Sequence, residues 1–99
     1  MSKFHEYFVY ILKCSDNTYY TGVTNNIERR FKEHQSGESK TSYTYSRRPL
    51  ELVYYTSFND VDNAILFEKR IKKWSRKKKE ATIKGEFEKL PNLSKKGFV

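Results

Sequence analysis

Residues 7–34 read YFVYILKCSDNTYYTGVTNNIERRFKEH, and the fold turns on how this stretch pairs with itself. Tyr7–Cys14 is a run of β-formers, Ser15-Asp16-Asn17 has turn composition, and Thr18–Thr24 is a second β-rich run carrying one glycine, Gly22. A connection of this length suits an antiparallel hairpin. It sets Cys14 opposite Thr18, Leu12 opposite Tyr20 and Tyr10 opposite Gly22. Side chains alternate along a strand, so Tyr10, Leu12, Tyr20 and Gly22 then share one face, and a slip of one residue would separate the two tyrosines.

From about Ile27 to His34 the pattern becomes helical. Thr24 or Asn25 is the expected N-cap and Gly37 the expected C-cap. At roughly 100° per residue, Ile27, Phe31 and His34 make one stripe, with Arg30 on its shoulder and Arg29 pointing away. Phenol, guanidinium and imidazole thereby gather around one glycine.

Outward from this unit, residues 1–6 read as a polar leader. Glu38–Pro49 reads as a polar loop beside the site that carries Arg47 and Arg48. Leu50–Ser57 is dense in β-formers and predicts a third strand. Asn59 or Asp60 caps a second helix over about Val61–Trp74, with an apolar arc of Val61, Ala64, Ile65, Phe67, Ile71 and Trp74. Glu68 falls inside that arc, where a carboxylate needs a partner, whereas Asp62, Lys69 and Lys73 lie on the wet side. A short helix at Ala81–Ile83 follows before Gly85, and residues 86–99 form a tail without clear period. The expectation is one α+β domain over residues 7–85, a three-stranded antiparallel sheet flanked by helices.

Ninety-nine residues suffice for a single modest core, and its material is aromatic: eight Tyr and seven Phe in a chain only 36% hydrophobic. The net charge of +8 favours a polyanionic partner, with nucleic acid ahead of an anionic membrane surface. Between Lys69 and Lys79, eight of eleven residues are Lys or Arg and none is acidic. That run lacks the balancing charges of a salt-bridged helix and suits sequence-independent contact with phosphates. One cysteine, Cys14, excludes an intrachain disulfide and a cysteine zinc cluster, and reads as a strand residue. No segment has the pattern of a signal peptide or membrane span, so the cytoplasm is the expected compartment.

The candidate catalytic residues are Tyr10, Tyr20, Arg30, His34 and Glu68. Arginine is a permanent planar donor to phosphate, and a lone inward carboxylate suits Mg²⁺, which keeps most of its waters. A phenol beside a metal and a guanidinium can have its pKa lowered and become a base. These are the parts for phosphodiester hydrolysis. Singly, each has a structural alternative: the tyrosines as sheet aromatics, Arg30 lying along the apolar face, His34 as a helix-end hydrogen-bonding group, and Glu68 ion-paired to Arg30. Their convergence favours a site. The candidate substrate-binding set is Gly22, Arg47, Arg48, Lys69, Lys72, Lys73, Arg76 and Lys77.

At these residues the sequence resembles the GIY-YIG nuclease family in its small stand-alone form. Phe8-Val9-Tyr10 stands where the family has GIY, and Tyr20-Thr21-Gly22 where it has YIG. TNNIERRFKEH (24–34) fits the family's first helix, and EKRIKKWSRKKKE (68–80) fits its second helix with a basic extension. Phe8 and Thr21 depart from the tripeptides, and Trp74–Lys84 lacks the asparagine many members place there. The resemblance covers roughly residues 7–85. It implies hydrolysis of DNA with one divalent ion, Mg²⁺ or Mn²⁺, and since nothing in the sequence looks like a sequence-reading module, repair or processing of DNA is the expected setting. Tyr10 would be general base or water-positioning group, Tyr20 a support by hydrogen bonding, and Gly22 room for substrate. Arg30 would stabilise the pentavalent phosphate, Glu68 would bind the metal, and His34 would orient its neighbours or accept a proton. A homodimer or a protein partner is compatible with so small a domain. The alternative is a nucleic-acid-binding module that keeps the fold without the chemistry.

Overall fold

The computed structural model describes residues 5–85. Strands β1 (Tyr7–Lys13), β2 (Tyr19–Thr24) and β3 (Glu51–Phe58) form one antiparallel sheet in the order β2-β1-β3. The helices are α1 (Ile27–Ser36), α2 (Val61–Lys72) and α3 (Arg76–Ile83). The predicted leader lies mostly outside the described residues, and the predicted tail wholly so.

The hairpin register is the expected one: Leu12 faces Tyr20 and Tyr10 faces Gly22. The turn shows why. The Asn17 amide donates to the Cys14 carbonyl at 2.9 Å and the Cys14 amide to the Thr18 carbonyl at 2.8 Å, while Asn17 takes a left-handed φ of 69°. Asparagine tolerates that conformation better than most residues, so the last turn residue locks the pairing.

Central β1 buries residues on both sides. Tyr10 and Leu12, with Cys14 and Leu50, pack under Ile27 and Phe31 of α1. Val9 and Ile11 pack on the opposite face with Ala64 and Ile71 of α2, joined by Phe67, Trp74 and Ile83. The sheet therefore carries α1 on one face and α2 with α3 on the other. On the β3 side the register slips between Ile11 and Leu12, which face Tyr54 and Leu52 and leave Val53 as the extra residue of a bulge.

Three sequence expectations need correction. The N-cap of α1 is Asn26, whose side chain accepts from the Arg29 amide, because the Thr24 hydroxyl already bonds the Asn26 backbone. The second helix does not run to Trp74. It ends at Lys72, and Ser75 caps a separate α3 by accepting from the Lys78 amide, so the Ala81–Ile83 fragment belongs to a longer helix. The apolar arc of α2 is also narrower than its wheel suggests: Val61 and Ile65 are each 37% exposed. A face only three strands wide, at about 4.8 Å spacing, has little room beneath two helices, and each buries a thin stripe.

Gly22 is needed where it stands. A methyl group on its α-carbon would overlap the hydroxyl end of Tyr10, a ring 1% exposed and tethered at its far end. Gly22→Ala is expected to lower unfolding free energy by about 1–3 kcal/mol in denaturant titrations, as overpacking does when a neighbour cannot retreat. Thr21, opposite Ile11, buries a hydroxyl with no hydrogen-bond partner among the described residues. The isosteric Thr21→Val should therefore raise stability, by about 1 kcal/mol in the same titration.

Candidate active site

Tyr10 enters the site from the middle of β1, Tyr20 from β2, and Arg30 and His34 from consecutive turns of α1. Glycine ends α1 directly after the site-bearing turns: Gly37 has φ 71°, and its amide donates to the Glu33 and His34 carbonyls. Four of the five candidate catalytic residues meet here. The Tyr10 hydroxyl is 3.0 Å from His34 Nε2. The Tyr20 ring lies edge-on to His34 at 5.2 Å and tilted against Tyr10 at 6.4 Å. Arg30 Nη1 donates to Glu33 Oε1 at 3.0 Å, and its guanidinium also acts on the Tyr10 phenol as a donor. The alternative of a Glu68–Arg30 ion pair is thus not what forms.

Glu68 approaches from α2. Its side chain is 15% exposed, as its inward position on the wheel requires, and it pairs with Lys72 Nζ at 2.6 Å. Its charge reaches the Tyr10 phenol and helps to raise that group's pKa. Among the described residues there is no cluster of three or more His, Cys, Asp and Glu side chains able to cage a metal. A Mg²⁺-type ion does not need one: a single carboxylate, waters and a substrate phosphate complete its shell. Glu68 fits that role, and would be its protein ligand.

The protein's own groups raise the Tyr10 pKa: burial, opposed by the hydrogen bond from Arg30, pushes it up to about 12, so any lowering would have to come from a metal beside it. Tyr10 is a neutral phenol at working pH. His34, 5% exposed, has its pKa depressed by desolvation and then by Arg30, with Glu33 opposing, so the imidazole is held neutral. One ring nitrogen is then a donor and the other an acceptor.

The polar loop expected beside the site is tied down at many points. Gln35 exchanges two hydrogen bonds of 2.9 Å with the Leu50 backbone, as a neighbouring strand would. Arg47 bonds Asp16 at 3.0 Å and the Tyr43 carbonyl at 2.7 Å, and covers the Tyr43 ring at 3.9 Å. Arg48 donates to the Tyr45 and Gln35 carbonyls. Both arginines brace the loop. Gly22, expected to make room for substrate, makes room for the Tyr10 hydroxyl. Sequence reasoning missed Thr44, wholly buried, whose Oγ1 is 2.9 Å from His34 Nδ1. It also missed Tyr43, stacked on Tyr20 at 6.0 Å.

The five lysines and arginines expected on the basic segment, Lys69, Lys72, Lys73, Arg76 and Lys77, are all exposed. Lys72 pairs with Glu68, and Arg76 pairs with Glu80 while covering the Tyr19 ring. The break at Lys73–Ser75 splits the run between two helices.

His34 offers a direct check. Site-resolved NMR titration should give an imidazole midpoint below 6.5, and Arg30→Ala should move it upward. Between the folded midpoint and the ordinary value of 6.5, only the unfolded chain binds the proton. Stability contributed by neutral His34 is therefore complete above 6.5 and is lost as pH falls through the folded midpoint.

Comparison with known proteins identifies the family and the fold. A family model described as the GIY-YIG catalytic domain matches residues 6–81. A UPF0213 protein of Syntrophus aciditrophicus is 48% identical over 77 residues, covering 78% of this chain and 88% of its own. A UPF0213 protein of Bacillus pumilus is 42% identical over 79 residues, covering 80% of each. The solution NMR structure of a UPF0213 protein from Bacillus halodurans superposes with a TM-score of 0.53 at 38% identity, over 90% of this chain and 97% of that one. A second NMR structure, from E. faecalis, gives 0.56 at 34% identity, over 87% and 88%. The chain belongs to the GIY-YIG catalytic-domain family, a family of nucleases.

Proposed function

We propose that this protein is a divalent-metal-dependent endonuclease that hydrolyses DNA phosphodiester bonds in repair or processing of DNA. The observation that carries this reading is the convergence of Tyr10, Tyr20, Arg30 and His34, with the charge of Glu68 felt at the same phenol. Exposed lysines on α2 and α3 supply a positive field for the phosphate backbone.

Arg30 is 39% exposed in its side chain and carries five N–H donors, more than Glu33 and Tyr10 use. It can meet a phosphate without leaving the site and stabilise the negative charge that grows as the phosphorus becomes five-coordinate. A metal held by Glu68 would polarise the phosphate and favour ionisation of water. Burial keeps Tyr10 a phenol rather than a phenolate, and its hydroxyl lies 3.0 Å from His34 Nε2, which favours a relay. As a water oxygen bonds to phosphorus, the water proton passes to the Tyr10 oxygen and the phenol proton passes to His34 Nε2. The bond from phosphorus to the leaving sugar oxygen breaks, and that oxygen takes a proton from solvent. The imidazolium left behind is balanced by the phosphate's own charge. Tyr20 walls the imidazole on its edge and keeps the relay aligned.

Cleavage of single-stranded, duplex and branched DNA should require Mg²⁺ or Mn²⁺ and stop with chelator. Arg30→Ala should lower the rate by about 10²–10³, the usual loss for one transition-state donor, with Tyr10→Phe and Glu68→Ala also severe. Binding without cutting by the wild type on every substrate and metal would instead identify a non-catalytic nucleic-acid-binding module. Lys69→Ala and Lys73→Ala should each weaken binding on all sequences and reduce the slope of log affinity against log salt by about one.

A further inference from the structure

Thr44 comes from the loop between α1 and β3, ten residues from His34, and is fully buried against it. Its Oγ1 has two partners, His34 Nδ1 at 2.9 Å and Ser42 Oγ at 3.1 Å. With Tyr10 on the other ring nitrogen, this makes a line of four groups: Tyr10, His34, Thr44, Ser42. Distances alone allow protons to run along it in either direction.

The phenol decides the direction. Tyr10 is a neutral phenol, 1% exposed, and its proton needs an acceptor. Among the described residues, the acceptor recorded within hydrogen-bond distance of that hydroxyl is His34 Nε2; Arg30, beside it, has only donors. Were Nε2 to carry the proton, the phenol hydrogen would be buried with no other acceptor among the described residues to receive it, which is the costly arrangement. Nε2 is therefore the acceptor and Nδ1 bears the hydrogen. Thr44 Oγ1 then accepts from Nδ1 and spends its own hydrogen on Ser42. Every buried hydrogen in the line has a receiver.

We propose that Thr44 is a positioning residue that holds His34 in the Nδ1-protonated tautomer, leaving Nε2 open to take the Tyr10 proton. The arrangement repeats a general rule for histidine: the bond made by one nitrogen sets what the other can do. Charged and titratable groups face the ring from several elements, Arg30 and Glu33 of α1, Tyr10 of β1 and Tyr20 of β2, while Glu68 of α2 acts on the Tyr10 phenol. None of them touches Nδ1, so the hold on that atom belongs to Thr44. The catalytic half of this inference rests on the nuclease reading; the tautomer does not.

Nitrogen-15 correlation spectra of the His34 ring in the full-length protein test it. Wild type should show a protonated Nδ1 and an unprotonated Nε2. Thr44→Val, equal in size but without the acceptor, should shift both resonances toward the averaged values of a mixed tautomer. Thr44→Ser should restore them. In cleavage assays Thr44→Val should lower kcat at least tenfold with KM within twofold, and Thr44→Ser should recover most of the loss. A wild-type ring protonated at Nε2 would overturn the proposal without any variant, even if Thr44→Val failed to fold. So would a Thr44→Val protein with unchanged spectra and unchanged kcat. If no variant or wild type cuts DNA while the spectra behave as described, the nuclease reading fails and the tautomer assignment stands.

Discussion

A phenol ring pressed against a bare α-carbon fixes the geometry of this molecule. Tyr10 and Gly22 face each other across the central strand pair, and the missing side chain of Gly22 is the space in which the hydroxyl of Tyr10 sits. From there the hydroxyl reaches across to α1 and meets His34. Sheet, glycine and helix are thus held at one spacing by one buried aromatic side chain. The position of Arg30, one helical turn before His34, follows from that contact.

The second constraint is that the site is layered. Tyr10 and His34 are buried, whereas Arg30 and Tyr20 lie partly exposed above them. Low polarity beneath explains both perturbed groups, since burial favours the uncharged phenol and the uncharged imidazole alike. The outer layer can be charged because it stays in contact with water. In the proposed reaction, proton handling and phosphate contact would fall at different depths.

Much of this was legible in the sequence. Turn composition and strand alternation agreed on one register, and only that register brings Tyr10 and Tyr20 together. The α1 wheel placed His34 inward and Arg30 on its shoulder because Ile27 and Phe31 marked the apolar stripe. What stayed hidden was of two kinds. Three successive residues, Thr24, Asn25 and Asn26, can all cap a helix, and only the bond to the Arg29 amide selects Asn26. Likewise the helical period runs unbroken through Trp74, and Ser75 signals a new start only once its bond to the Lys78 amide is seen. The loop was illegible for a different reason. Thr44 in the loop and Gln35 at the end of α1, which ties the loop's far end, owe their roles to partners ten and fifteen residues away, and a polar residue in a polar stretch carries no mark of that.

The burial of Tyr10 has a consequence for descent. A residue that occupies the core is retained for the sake of folding, whatever its chemistry once did. A lineage that ceased to cut nucleic acid would still keep Tyr10, Gly22 and His34 while it kept this architecture. Arg30, partly exposed and ion-paired within its own helix, is under no such obligation. Among descendants of this fold, position 30 is where abandonment of the reaction would be written first, and the tyrosine that gives the family half of its name would be among the last to change.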